Sequence, residues 1–264
     1  MSKDRDFVEA LARGLEVIRS FSTSHLSRSV SEVAVETGLA RPTVRRILLT
    51  LEQLGYVRAA DGMYSLAPKV LELGTAYIGA QGMWDIARPH MVELVGHTHE
   101  SCSVSQLDGS DIVYTARVPV PKIIGLSVQI GTRFPAAATS MGQVLLADLG
   151  AAELDRVLRL PSASNVIPRV KLARRELDKV LADVRRRGWA LSDEQLTLGI
   201  RSIAAPIRSS SGRVIAAVNV TVHAAETSIT TLKSQHLPRL LETAEAITAD
   251  FQRIGELPST QPID

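Results

Sequence analysis

Between Leu39 and Leu51 the chain carries three arginines, Arg41, Arg45 and Arg46, and no acid. A guanidinium is planar, permanently charged and forked, so it can pair with the acceptor edge of guanine or with a phosphate. Thr43 lies among these arginines and Thr50 one helical turn beyond Arg46; Arg28 and Arg58, on either side, could add phosphate contacts. Such a cluster reads either as a solvated helix face or as a surface that recognises nucleic acid. Bulk charge does not choose between them. The whole chain is only +2, and residues 1–66 hold nine Lys or Arg against eight Asp or Glu, so the basic bias is local.

The elements that must position these residues favour the second reading. Val8, Leu11, Leu15, Ile18 and Phe21 recur at helical spacing and predict a first helix over 8–21. Residues 22–29 read as a polar break. A second short helix is expected from Ser31, as N-cap, to the stop at Gly38. Pro42 suits the first turn of a third, with Val44, Ile47, Leu48 and Leu51 inward and Gly55 closing it. The run YVRAADGMYSLAP then predicts two short strands about an Asp61-Gly62 turn. Helix, turn, helix and hairpin in this order make a winged helix-turn-helix, whose third helix enters the major groove of double-stranded DNA. Pro68 opens a further helix, expected to reach Ala80.

From residue 82 the pattern changes. SCSVSQL and DIVYTARV flank Asp108-Gly109 as a second hairpin, residues 123–130 look extended, SMGQVLLADL reads as helix, and residues 171–187 form a long amphipathic helix. Two strands, RSIAAPIR and RVIAAVNVTVH, precede a last helix that turns Leu237, Leu240, Leu241, Ala244 and Ile247 to one side. In the second strand, Val214, Ala216, Val218, Val220 and Val222 share one face, and Ile215, Ala217, Asn219, Thr221 and His223 the other. The polar end of that second face is either wetted by solvent or the wall of a pocket. Aromatics are 4% of the chain, so the cores must be aliphatic.

Other chemistry finds little support. Cys102 near His97 and His99 invites a thiol nucleophile or a metal, but no acid partner is evident and a free cysteine is commonly a small buried hydrophobe. The lone cysteine excludes an internal disulfide and a multi-cysteine metal site, and no glycine-rich phosphate loop occurs. No catalytic residue, metal or cofactor is expected. The absence of a run of 18 apolar residues and of an N-terminal apolar core predicts a soluble, cytoplasmic protein.

The stretches SVSEVAVETGLARPTVRRILLTLEQLGYV, MYSLAPKVLELG, FPAAATSMGQVLLA, RRRGWALSDEQLTLGIRSIAAPIR and GRVIAAVNVTVHA follow one another as in the IclR-type bacterial regulators. The chain resembles that family over nearly its whole length. ESCSVSQLDGSDIVYTARV, TSMGQVLLA and NVTVHA are closest to its subgroup for protocatechuate, 4-hydroxybenzoate and β-ketoadipate metabolism (PcaR/PcaU/PobR). The resemblance implies an α+β chain: a winged helix-turn-helix over 1–67, a linker helix over 68–81, and over 82–258 a GAF-like effector-binding and oligomerisation domain with an antiparallel sheet flanked by helices. A disordered tail follows over 259–264. It implies a homodimer or homotetramer on near-palindromic operators. The effector would be an aromatic acid or a β-ketoadipate-pathway metabolite, and the regulated process aromatic catabolism.

Carried over residue by residue, the family's pocket falls on Ser140, Met141, Ile200, Ser202, Asn219 and Thr221. The acidic position after the Gly-Trp pair is Ser192 followed by Asp193, a departure from relatives with two acids, and Asp193 is taken as the candidate. An anionic effector also wants a cation, for which Arg133 and His223 are candidates; Arg201, of opposite parity to Ser202, reads as an ion pair with Asp193 or Glu194. Three alternatives stay open: regulation of another carboxylic-acid pathway, a DNA-binding dimer without an effector, and an enzyme on a GAF-like scaffold.

Overall fold

The computed structural model describes residues 6–22, 25–74, 83–121 and 128–256. The chain divides into two units, Met1–Ala80 and Gln81–Asp264.

In the first unit, helices α1 (Glu9–Arg19), α2 (Val30–Thr37) and α3 (Arg41–Gln53) enclose Val17, Val33, Val44, Leu48 and Leu51, with Val57 from strand β2. The N-cap of α2 is Ser29 rather than Ser31. Its hydroxyl accepts from the Glu32 N–H while the Glu32 carboxylate accepts from the Ser29 N–H, a reciprocal capping box. Gly38 ends α2 in the left-handed region at φ +67°. Strands β2 (Val57–Ala60) and β3 (Met63–Leu66) pair in register about Asp61 and Gly62, both at positive φ, as a two-residue type I′ turn requires. A third strand, β1 (Ser27–Ser29), lies on the other side of β3. It falls in the expected polar break, because three residues paired only through their backbone leave no period in the side chains. Pro68–Val70 form a 3-10 turn and helical backbone continues to residue 74; the rest of the expected linker helix, at 75–80, lies outside the described residues.

In the second unit, six antiparallel strands run in the order β6-β5-β4-β9-β8-β7. They are β4 (Ser101–Asp108), β5 (Asp111–Val118), β6 (Arg133–Pro135), β7 (Ala190–Asp193), β8 (Ile200–Arg208) and β9 (Val214–His223). Helices cover both faces. Helices α4 (Met83–Thr98) and α8 (Leu237–Glu256) pack on the face of Cys102, Val104, Ile203, Val218 and Val220. On the other, α5 (Ser140–Ala147), α6 (Ala151–Arg159) and α7 (Arg174–Arg187) pack over Ile112, Tyr114, Ala204 and Ala217. Residues 123–127 of the segment expected to be extended, and the tail, lie outside the described residues.

Two β-bulges break the alternation on which face assignments rest. Opposite Ile207 and Arg208 stand Ala216 and Val214, so Ile215 is the extra residue of β9. The expected parity therefore holds from Ala216 onward and reverses before it: Ile215 packs with the α4–α8 core and Val214 with the other. Opposite Val104 and Ser105 stand Ala116 and Tyr114, so Thr115 is the extra residue of β5.

Candidate functional site

Helix α3 buries Val44, Leu48 and Leu51, which leaves Arg41, Arg45, Arg46 and Thr50 on its exposed side; Thr43 is half-buried. The Thr50 hydroxyl donates back to the Arg46 carbonyl at 2.8 Å. Arg58 stands exposed on β2. Among the described residues none of these four arginines has an acidic partner, so their forks are available to an external anion. Arg28 differs, and the expectation of a phosphate contact there is corrected. Its position on β1 turns the side chain inward, where it is 9% exposed and pairs with Glu36 at 3.2 Å.

In the second unit a cavity of about 310 Å³ lies between the sheet and the start of α5. Its wall is set by strand parity: Ser101 on β4, Ser192 on β7, Ile200 and Ser202 on β8, and Asn219, Thr221 and His223 on β9. Thr139 caps α5 by accepting from the Gly142 N–H at 3.1 Å, which places Ser140 and Met141 at the cavity. A side chain at 142 would overlap the Ala136 carbonyl, so glycine is what lets α5 approach this closely.

The polar lining is hydrogen-bonded in separate groups. Asn219 Oδ1 accepts from the Ser103 N–H at 3.0 Å and Asn219 Nδ2 donates to Thr221 Oγ1 at 3.0 Å. The Ser140 and Ser202 hydroxyls share a 2.8 Å hydrogen bond, and the Ser192 hydroxyl donates to the Ala138 carbonyl at 3.3 Å. His223 Nδ1 accepts from the Ala225 N–H at 3.3 Å. Seven expected ligand residues thus meet at one cavity: Ser140, Met141, Ile200, Ser202, Asn219, Thr221 and His223.

Two do not. Arg133 is no cavity residue; its guanidinium donates to Asp108 at 2.7 Å and lies 3.5 Å from Asp111, pinning the β4–β5 turn. Asp193 is exposed and pairs with Arg201, which also donates to the carbonyls of Ala224 and Thr227. Ser192, its neighbour of opposite parity, is the β7 residue that lines the cavity.

Sequence reasoning missed Arg117. Alternation puts it opposite Tyr114, three residues away, but the bulge at Thr115 returns it to the same face, and both line the cavity. Its Nη1 donates to the Ser103 hydroxyl at 3.1 Å, and burial lowers its pKa, partly offset by Tyr114 and Cys102. Burial pushes the Tyr114 phenol up to about 12. Cys102 is buried on the opposite face, where desolvation raises its thiol pKa, and His97 stands exposed beside Glu93. No helix among the described residues is long and apolar enough to cross a membrane.

Residues 10–61 match the IclR helix-turn-helix domain, and residues 75–249 match the C-terminal domain of the bacterial transcriptional regulator IclR. The chain belongs to the IclR family. One relative, the Pca regulon regulatory protein of Pseudomonas putida, is 36% identical over 239 residues, spanning 90% of this chain and 82% of that protein. A Rhodococcus sp. RHA1 crystal structure described as a transcriptional regulator is 46% identical, with a TM-score of 0.82 over 94% of this chain and all (100%) of that one. The inducer-binding domain of an Acinetobacter PobR double mutant, in complex with 3-hydroxybenzoic acid, is 27% identical, with a TM-score of 0.56 over 62% of this chain and 96% of that one. The Pca regulon and PobR relatives support the PcaR/PobR subgroup expected from the sequence. As an IclR-family regulator with this helix-turn-helix, the chain binds DNA.

Proposed function

We propose that this IclR-family chain regulates genes of aromatic catabolism by binding a small aromatic acid in the cavity beneath α5. The observation that carries the reading is the cavity itself: about 310 Å³, walled by apolar side chains and a few convergent hydroxyl and amide groups, the make-up of a small-molecule site. Ser140, Met141, Ile200, Ser202, Asn219, Thr221 and His223 would contact the effector. Arg41, Thr43, Arg45, Arg46, Thr50 and Arg58 would contact a near-palindromic operator, which a homodimer or homotetramer would span. The Pca regulon relative and the hydroxybenzoate held by the PobR domain support the choice of ligand.

The test is a thermal-shift and calorimetric screen of the full chain against 4-hydroxybenzoate, protocatechuate and β-ketoadipate. An effector at a hundredfold excess over its Kd stabilises the folded state by about 2.7 kcal/mol. Binding of an aromatic acid, with a change in operator affinity, supports the reading. No heat and no shift with any of them overturns it in favour of an effector-independent DNA-binding protein.

A further inference from the structure

The cavity has two chemically different ends. Register places Arg117 on β5 beside Ser103 on β4, and Ser103 beside Asn219 on β9. Arg117 spends one donor on the Ser103 hydroxyl and has no acidic partner among the described residues. Other arginines of this sheet are paired: Arg133 with Asp108, Arg201 with Asp193, Arg208 with Asp148. A partly desolvated guanidinium without a counter-ion is costly, and a bound anion would remove that cost. At the other end, the Ser140–Ser202 hydroxyl pair is uncharged. Ser103 on β4 and Ser202 on β8 are two strand spacings apart, about 10 Å between backbones, room for one aromatic ring with polar groups at opposite edges.

We infer that Arg117 is the specificity-determining residue of this cavity: it holds the effector's carboxylate, and the Ser140–Ser202 pair meets the ring hydroxyl at the other end. This rests on the reading that the cavity is the effector site. Arg117 then sets specificity, favouring acids over their neutral analogues.

The experiment is calorimetric titration of the full chain with 4-hydroxybenzoate, 4-hydroxybenzamide, benzoate and adipate, repeated on Arg117→Gln, Arg117→Lys and Ser202→Ala. The wild type should prefer the acid to the amide by about 10- to 100-fold, the range of a charge-assisted contact. Arg117→Gln should lower acid affinity to that of the amide and leave the amide unchanged, which a merely structural role would not do. Arg117→Lys should keep part of the preference, and Ser202→Ala should narrow the gap between 4-hydroxybenzoate and benzoate. The inference is overturned if the wild type does not distinguish acid from amide, if adipate binds most tightly, or if Arg117→Gln keeps the preference. The wild-type comparison decides even if Arg117→Gln fails to fold. Aromatic binding without an acid preference overturns this inference alone; no binding of any of the four, nor of protocatechuate, overturns the proposed function with it.

Discussion

Single residues on α3 and β2 make separable claims. Replacing Arg45 or Arg46 with Ala should cost about 1–3 kcal/mol of operator affinity and relax discrimination at one base pair if that residue reads a base edge. Arg58→Ala should weaken operator and scrambled DNA alike and lower the salt slope by about one. Fluorescence anisotropy across a salt series distinguishes the two, and an unchanged affinity for both helix variants would remove α3 from the interface. Arg28→Ala should leave the salt slope alone and lower stability by about 1–2 kcal/mol, because its inward side chain packs and pairs with Glu36. Residue chemistry also sets the alkaline limit. Cys102 and Tyr114 have pKa values raised above their ordinary 9.0 and 10.0, so above those values the unfolded chain loses protons that the folded one keeps. Their contribution is full below pH 9 and declines above it by about 1.4 kcal/mol per unit for Cys102, with Tyr114 adding a like slope above 10. Melting curves of the wild type and Cys102→Ala should diverge in slope from pH 9; parallel curves would contradict it. The three α3 arginines were legible because one apolar stripe fixes which side of the helix they occupy. The fate of Arg28 was not, because it depends on a strand pairing that leaves no trace in residue type.

At the scale of elements, the sheet explains what was read correctly and what was not. Parity along β8 and β9 located Ser202, Asn219 and Thr221 together, and separated Arg201 from them, because those stretches alternate without interruption. Parity failed along β5, where one unpaired residue reverses it. Arg133 was chosen for its charge and its place before FPAAATS, but partners set by folding, Asp108 and Asp111, neutralise it elsewhere. Elements also couple the cavity to stability. Asn219 holds the buried Ser103 N–H, so Asn219→Ala should destabilise the second unit by about 1–3 kcal/mol beyond any effect on ligand. Asn219→Asp keeps that acceptor and should hold most of the stability, yet lose 4-hydroxybenzoate because the new carboxylate competes for Arg117 across their shared neighbour Ser103. Paired melting and titration data on both variants check this; equal melting temperatures for Ala and wild type would refute the structural role. Gly142→Ala should cost about 1–3 kcal/mol or more and push the start of α5 away from the Ala136 turn, displacing Ser140 and Met141 and lowering effector affinity as well.

For the whole molecule, a regulator needs the two units to communicate, and linkage states what communication must look like. If 4-hydroxybenzoate changes operator affinity by some factor, the operator must change 4-hydroxybenzoate affinity by the same factor. Anisotropy with and without the acid, and calorimetry with and without operator DNA, give the two factors; unequal values would mean that the binding events measured do not share one equilibrium. A ligand that favours neither arrangement would leave operator affinity unmoved however tightly it bound. The bulge at Thr115 bears on how such a receptor acquires its ligand. Because Thr115 is bulged out of the ladder, Arg117 faces the cavity, and the charge the cavity presents is governed by strand register as well as residue identity. Taking the extra residue into the ladder, with Thr115 opposite Val104, would restore alternation and send the arginine to the other face with every side chain still in the sequence. Receptors for acids and receptors for neutral molecules therefore stand one step of strand register apart, a route that a comparison of residue types alone would never detect.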